Sequence, residues 1–158
     1  FGKGGSPVLL DGDTLRAGLN GDLGFSAQDR AENIRRLAEV ATHLARNGHV
    51  AIVAAVSPSA ADRAAARRIA DSMFREIYIA TSAEVCESRD PKGHYAKARA
   101  GALHGFTGVS NDYQPPSASE LAIDTSARTV VDATDEIEQM LVRSGILFEE
   151  PVDLAANI

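Results

Sequence analysis

An α/β architecture, with helices packed on a mainly parallel sheet, is the fold class this sequence predicts, and three observations predict it. Residues 49–56, HVAIVAAV, are continuously apolar after the histidine, the pattern of a parallel strand covered on both faces. Within residues 27–46 the apolar positions Ile34, Leu37, Val40, Ala41 and Leu44 recur at the spacing of one helical face. Strands and helices alternate along most of the chain, as they do where helical crossovers join parallel neighbours.

The elements follow in order. The glycine-rich Gly2-Lys3-Gly4-Gly5-Ser6 does not meet the phosphate-loop pattern G-x-x-x-x-G-K-[ST], whose spacing lets successive backbone N–H groups cradle phosphates, and it reads as a turn. Residues 8–10 form a short buried strand that closes on Asp11-Gly12-Asp13, and open α/β sheets keep their ligands at such strand ends. Residues 14–19 make one or two helical turns. Ser26, with Asp29 three residues on, resembles a capping box that starts a helix ending near Arg46, where Asn47-Gly48 supplies a left-handed stop. The side of this helix that carries Arg30, Asn33 and Arg36 turns away from its apolar face.

Beyond Ser57-Pro58, an alanine- and arginine-rich helix covers residues 60–72, with Asp62 in its first turn complementing the helix dipole. Residues 74–80 alternate into a strand, Ser82 caps a helix over 83–88, and Cys86 within it reads as a core residue rather than a nucleophile. Residues 89–108 combine Arg89, Lys92, Lys97 and Arg99 with glycines 93, 101, 105 and 108. Clustered cations between glycine hinges describe a mobile lid that closes over phosphates, and a solvated basic loop fits the same residues. YQPPSAS at 113–119 is a surface connection, residues 121–125 a last strand, and residues 132–143 a closing helix with Ile137, Met140 and Leu141 inward. Residues 1–145 thus make one domain and residues 146–158 a tail or linker.

Composition narrows the function. A formal charge of −6 argues against general nucleic-acid binding, which needs a basic face. No apolar run approaches the roughly 20 residues that span a bilayer, so no membrane role is expected. One cysteine forms no internal disulfide and fits a reducing cytoplasm. His43, His49, His94 and His104 show no metal-ligand spacing, and His104 falls in the lid stretch.

The chemistry concentrates in residues 9–36. Asp11 and Asp13 stand at a strand end amid Arg16, Arg30, Arg35 and Arg36, a mixture suited to an anionic substrate. Aspartates hold a hydroxyl or hydrated magnesium, and guanidinium forks match phosphate and sulfate. The same residues also fit a plain strand, turn and salt-bridged helix.

LDGDTLRAGLNGDLGFS followed by DRAENIRR resembles the signature of the adenylylsulfate kinase (APS kinase) family, which moves the γ-phosphate of ATP to the 3′-hydroxyl of adenosine 5′-phosphosulfate (APS), giving PAPS. AVSPSAADR at 55–63, EVCESRDPKGHYAKARAG at 84–101 and FTGV at 106–109 match the same family in order and spacing. The resemblance sharpens the fold class to the three-layer α/β P-loop NTPase (kinase) fold, with its N-terminal strand and P-loop outside this sequence. It implies ATP and Mg2+ as cofactors and APS as substrate. It further implies a homo-oligomer, expected as a dimer, and a fused or associated ATP sulfurylase.

By the same resemblance, Asp13 orients or deprotonates the acceptor hydroxyl and Asp11 helps hold hydrated magnesium. Arg16, Arg30 and Asn33 grip the phosphosulfate and adenosine parts of APS. Phe106 stacks on the adenine, and Phe25 is a second wall. Ser57 falls on a serine described in the family as a phosphoserine intermediate, and a backbone or hydroxyl contact to substrate is the reading adopted. Arg89, Lys92, Lys97 and Arg99 match nucleotide-side contacts of the lid. Thr14, Ala17, Ser59, Ala80, Ser82 and His94 depart from the family pattern without removing a proposed ligand. Together with the missing P-loop they leave two readings: a kinase within a longer chain, or an impaired APS- or PAPS-binding regulatory domain attached to an ATP sulfurylase.

Overall fold

A computed structural model describes residues 6–102, 105–109 and 112–148. The expected turn at residues 2–5, the lid residue His104 and residues 149–158 of the tail lie outside the described residues. Strand β1 (Ser6–Asp11) runs into the short helix α1 (Gly12–Arg16), and the long helix α2 (Ala27–Arg46) crosses over to β2 (His49–Ala54), which pairs parallel to β1 with Ser6 opposite His49 and Asp11 opposite Ala54. Helix α3 (Ala60–Ala70) and a 3-10 turn lead to β3 (Ile77–Ile79); α4 (Ala83–Arg89) and α5 (His94–Arg99) follow. Strand β4 (Leu121–Ile123) pairs parallel to β3, and α6 (Val130–Arg143) closes the chain.

Local chemistry sets the boundaries. The Ser26 hydroxyl accepts the Asp29 N–H at 3.1 Å and so caps α2, as its sequence predicts. Gly48 ends the same helix with a φ of 85°, a conformation that a Cβ opposes. Helix α6 begins two residues earlier than predicted because Thr129 and Asp132 form a complete capping box ahead of it. Helix α5 lies within the predicted lid: both carboxylate oxygens of Asp90 accept backbone N–H groups, from Tyr95 and Ala96, each at 3.1 Å. The lid stretch is therefore partly helical, and its glycines flank the helix.

The core joins β1 to α2 and α3. Leu10, Ile34, Leu37, Ala38 and Ala66 are buried together, with Val8, Leu15, Leu44, Ile69 and Phe74 packed around them. The apolar face of α2 is the one its periodicity predicts. The predicted cover over β2 is corrected: Ile52 is 49% and Val53 41% exposed. Among the described residues β2 pairs only with β1 and β3 only with β4, so the parallel strands form two separate two-stranded sheets. Strand side chains stand on the two faces of a sheet, and Ile52 and Val53, which point to opposite faces, are both left partly open.

An ionic cluster ties α3 to both strands of the second sheet. Arg67 binds Glu120 through two bonds of 2.6 and 2.9 Å, Glu120 also accepts the Glu76 N–H at 2.6 Å, and Glu76 pairs with Arg63 at 2.7 Å. The Arg67 guanidinium, with help from the Glu76 N–H, holds the Glu120 carboxyl down to about 2 from an ordinary value of 4.5. A depressed folded-state value contributes stability above the unfolded value that is lost as pH falls through the folded one. Acid unfolding followed by circular dichroism should thus show a loss between about pH 4.5 and about pH 2 that Glu120→Gln flattens. Identical acid limbs in the two proteins would remove Glu120 from that role.

Candidate functional site

The β1–α1 junction presents both predicted aspartates. Asp11 Oδ1 accepts from the backbone N–H and the hydroxyl of Thr14, each at 2.8 Å, which caps α1 and keeps the carboxyl below its usual range. Gly12 fits between them because a Cβ there would come within 3.2 Å of the Ala54 carbonyl on the paired strand. Asp13 is exposed, and its Oδ2 accepts from Lys92 Nζ at 2.7 Å; the carboxylate in turn raises the pKa of the lysine. The expectation that arginines surround the acidic pair is corrected. Arg35 and Arg36 pair with Glu32, and Arg36 also with Asp22, along the exposed side of α2. These partners lie within helical reach or across a short loop, and no such short path leads to the strand end.

A second group gathers around Phe25. The Arg16 guanidinium lies 4.4 Å from the ring centroid and donates to the Gly24 carbonyl at 2.9 Å, so ring and charge are fixed together. Arg30 donates from Nε to the Phe25 carbonyl at 3.0 Å, from one terminal nitrogen to the Thr107 hydroxyl at 3.1 Å and from the other to the Gly105 carbonyl. It brackets the Phe25 turn to the segment that carries Phe106. Phe25 remains 62% exposed, an open aromatic face beside two guanidinium groups. Phe106 meets Tyr95 and His94 of α5 edge-on, with ring centroids 5.0 and 6.1 Å away.

Asn33 is buried, contrary to a position turned away from the interior, because Asn20 donates its amide to Asn33 Oδ1 at 3.0 Å. Asn20 itself is fully buried, and among the described residues its Oδ1 has no hydrogen-bond partner. The sequence singled out neither this residue nor its role. A lone asparagine between glycines carries no periodic signal.

Ser57 has a φ of 41°, and its buried hydroxyl has no hydrogen-bond partner among the described residues. Next to it opens a cavity of about 440 Å³. Ala27 and Arg30 bound it on one side, with Pro58, Ser59 and Asp62 on another and Asp112 and Gln114 closing it. The lid cations divide. Lys92 reaches the site, Arg89 is fastened to Thr125 by bonds of 2.9 and 2.7 Å, Arg99 pairs with Glu87, and Lys97 is exposed on α5. Cys86 is partly buried, with its thiol facing the Thr81 carbonyl at 3.9 Å.

No group of three or more His, Cys, Asp or Glu that could cage a metal occurs among the described residues. Magnesium in phosphoryl-transfer sites keeps water and binds through one or two carboxylates plus substrate phosphates. Asp11 and Asp13 fit that requirement. Asp11 stays ionised and uses a single oxygen for its cap. No helix among the described residues is long and apolar enough to cross a membrane.

The family model described as Adenylylsulphate kinase matches residues 1–124. The chain is 51% identical over 145 residues to a bifunctional enzyme CysN/CysC of Mycobacterium tuberculosis, covering 90% of this chain and 24% of that protein. It is 44% identical over 142 residues to an adenylyl-sulfate kinase of Paraburkholderia xenovorans, covering 90% of this chain and 79% of the other. The solved APS kinase CysC of M. tuberculosis, in complex with AMPPNP and APS, superposes with a TM-score of 0.83 at 46% identity over 87% of this chain and 80% of that one. The four sequence blocks, the paired aspartates at the end of a parallel strand and these matches agree: the chain belongs to the adenylylsulphate kinase family and has its α/β P-loop kinase fold.

Proposed function

We propose that this domain, within its natural protein, transfers the γ-phosphate of ATP to the 3′-hydroxyl of APS and so forms PAPS and ADP. The observation that carries the reading is the Arg16–Phe25–Arg30 group joined through the short helix α1 to the Asp11–Asp13 turn: an aromatic face for a base, fixed cations for phosphosulfate, and carboxylates for a hydroxyl. Arg16 is held by backbone carbonyls before any ligand arrives, which lowers the ordering cost of binding an anion. In the reaction the 3′-oxygen attacks the γ-phosphorus as the bond to the ADP oxygen breaks. The hydroxyl proton passes to Asp13, at the carboxylate oxygen Oδ1 that Lys92 does not hold. Magnesium bound near Asp11 would supply charge neutralisation of the phosphates. In this reading Asn33 and Phe106 contact the adenosine part of APS, and Ser57 contacts substrate without covalent chemistry.

A coupled assay of the full-length protein with APS and MgATP should give PAPS and ADP; absence of turnover from folded protein would sink the proposal. Arg30→Ala should weaken APS binding by about 2 kcal/mol or more, because the bracket between the Phe25 turn and the Phe106 segment is lost together with a cation. An unchanged APS affinity would take Arg30 out of the site. The bifunctional relative favours a second reading, in which the domain binds APS or PAPS to regulate an attached enzyme such as an ATP sulfurylase. Tight APS binding with no PAPS formed, in the same assay, would select it.

A further inference from the structure

Arg63 lies on α3 and is only 9% exposed, yet among the described residues just one carboxylate, Glu76, pairs with it within salt-bridge distance. Each of its two terminal nitrogens donates to a main-chain carbonyl, in two different loops: Ser57 at 2.7 Å and Gln114 at 2.5 Å. The Tyr113 ring covers the guanidinium at 5.4 Å and stacks in turn on Tyr78 of β3. Those two loops are also laced to each other. Gln114 donates its N–H to the Pro58 carbonyl at 3.0 Å, and its side chain accepts the Ala60 N–H at 2.8 Å. Both loops are walls of the cavity beside Arg30.

The backbone of Ser57 is the reason a clamp is needed there. A non-glycine residue at a φ of 41° is strained, and such a conformation, costing on the order of 1–3 kcal/mol, persists only where its surroundings over-determine it. The Arg63 guanidinium donates to the carbonyl of this residue at 2.7 Å. With the carbonyl held, the hydroxyl is confined to a buried position where no described group satisfies it.

We propose that Arg63 is a positioning residue: one buried guanidinium, seated on Glu76, fixes the peptide of Ser57 and that of Gln114 together and thereby sets the shape of the substrate cavity. The assignment of that cavity to APS rests on the function proposed above. A planar fork with donors in several directions is required, since a lysine ammonium can keep the Glu76 pair but cannot hold both carbonyls in the same arrangement. Arg67 is the internal control, because it strengthens the same ionic cluster through Glu120 and touches neither cavity wall.

The test uses the full-length protein with Arg63→Lys, Arg63→Ala and Arg67→Ala, reading melting temperature, KM for APS and for ATP, and amide hydrogen exchange. Arg63→Lys should recover most of the stability lost in Arg63→Ala but still raise KM for APS about tenfold or more, with KM for ATP within about twofold of wild type. Arg67→Ala should lower the melting temperature with KM for APS unchanged. If Arg63→Ala does not fold, the lysine variant carries the comparison alone. A KM for APS that simply follows stability through all the variants, or that stays at the wild-type value in Arg63→Lys, overturns the proposal. Hydrogen exchange needs no substrate: residues 57–62 and 112–114 should both exchange faster in Arg63→Lys. Faster exchange in Arg63→Lys, together with a wild-type protein that shows no affinity for APS, would leave the clamp standing and reject the APS assignment. Unaltered exchange at both segments rejects the clamp itself.

Discussion

Residues 1–158 expressed as a polypeptide on their own should form no PAPS from APS and MgATP. The sequence contains no G-x-x-x-x-G-K-[ST] segment, so this polypeptide has neither the amide cradle nor the lysine that neutralise the outer phosphates of a nucleotide. Losing one preorganised donor of that kind costs about 100-fold or more in rate, and here several are absent at once. The same polypeptide should self-associate. Leu9, Val56 and Ile79 are 64, 67 and 52% exposed, and β2 and β3 each lack a second neighbouring strand among the described residues. Unpaired edges beside apolar side chains template pairing with other chains. Light scattering together with an ATP-dependent PAPS assay decides the matter. A monodisperse, active sample would show that the phosphate site has been assigned to the wrong part of the molecule.

In the full-length protein, Asp13→Asn should lower kcat by about 100-fold or more while APS affinity shifts only a few-fold. Asparagine keeps the shape of the side chain but loses its charge and one acceptor oxygen and does not take up the hydroxyl proton, and general-base catalysis contributes roughly 100- to 10,000-fold. The substitution also releases Lys92, whose pKa is raised by its bond to this carboxylate. Lys92→Ala separates the two effects, because it frees Asp13 without removing the base. Steady-state kinetics with APS varied, alongside equilibrium binding of APS, reads both quantities. If Asp13→Asn keeps kcat within about threefold, the proton goes elsewhere.

What the sequence makes legible is what is local. Ser26 caps α2, Gly48 stops it, and the face of Ile34 and Leu37 is buried, because each depends on neighbours within a turn or two. The paired aspartates at a strand end are legible for the same reason. Partners chosen in three dimensions are not. Arg36 takes Asp22 and Glu32 instead of the strand-end carboxylates, and Asp13 finds Lys92, 79 positions away. Asn20 gains its place by burial against Asn33, and Arg63 passes in the sequence for one more cation of an alanine-rich helix. The exposure of Ile52 is illegible as well, since an apolar run states what a strand prefers and not whether a neighbour is there to cover it.

The register of the two sheets has a consequence for how the chain reaches its fold. Ser6 pairs with His49 and Ile77 with Leu121, so each strand pair forms only after a loop of about forty residues has closed. The entropy of that closure is lost before any ladder hydrogen bond repays it, and topologies dominated by such distant pairings fold in milliseconds to seconds rather than microseconds. Helix α2, with its cap and its Arg35–Glu32 and Arg35–Glu39 pairs, needs no such closure. The chain should therefore form its longest helix early and spend most of its folding time with both sheets still unzipped, the interval in which its apolar strands are most open to other chains.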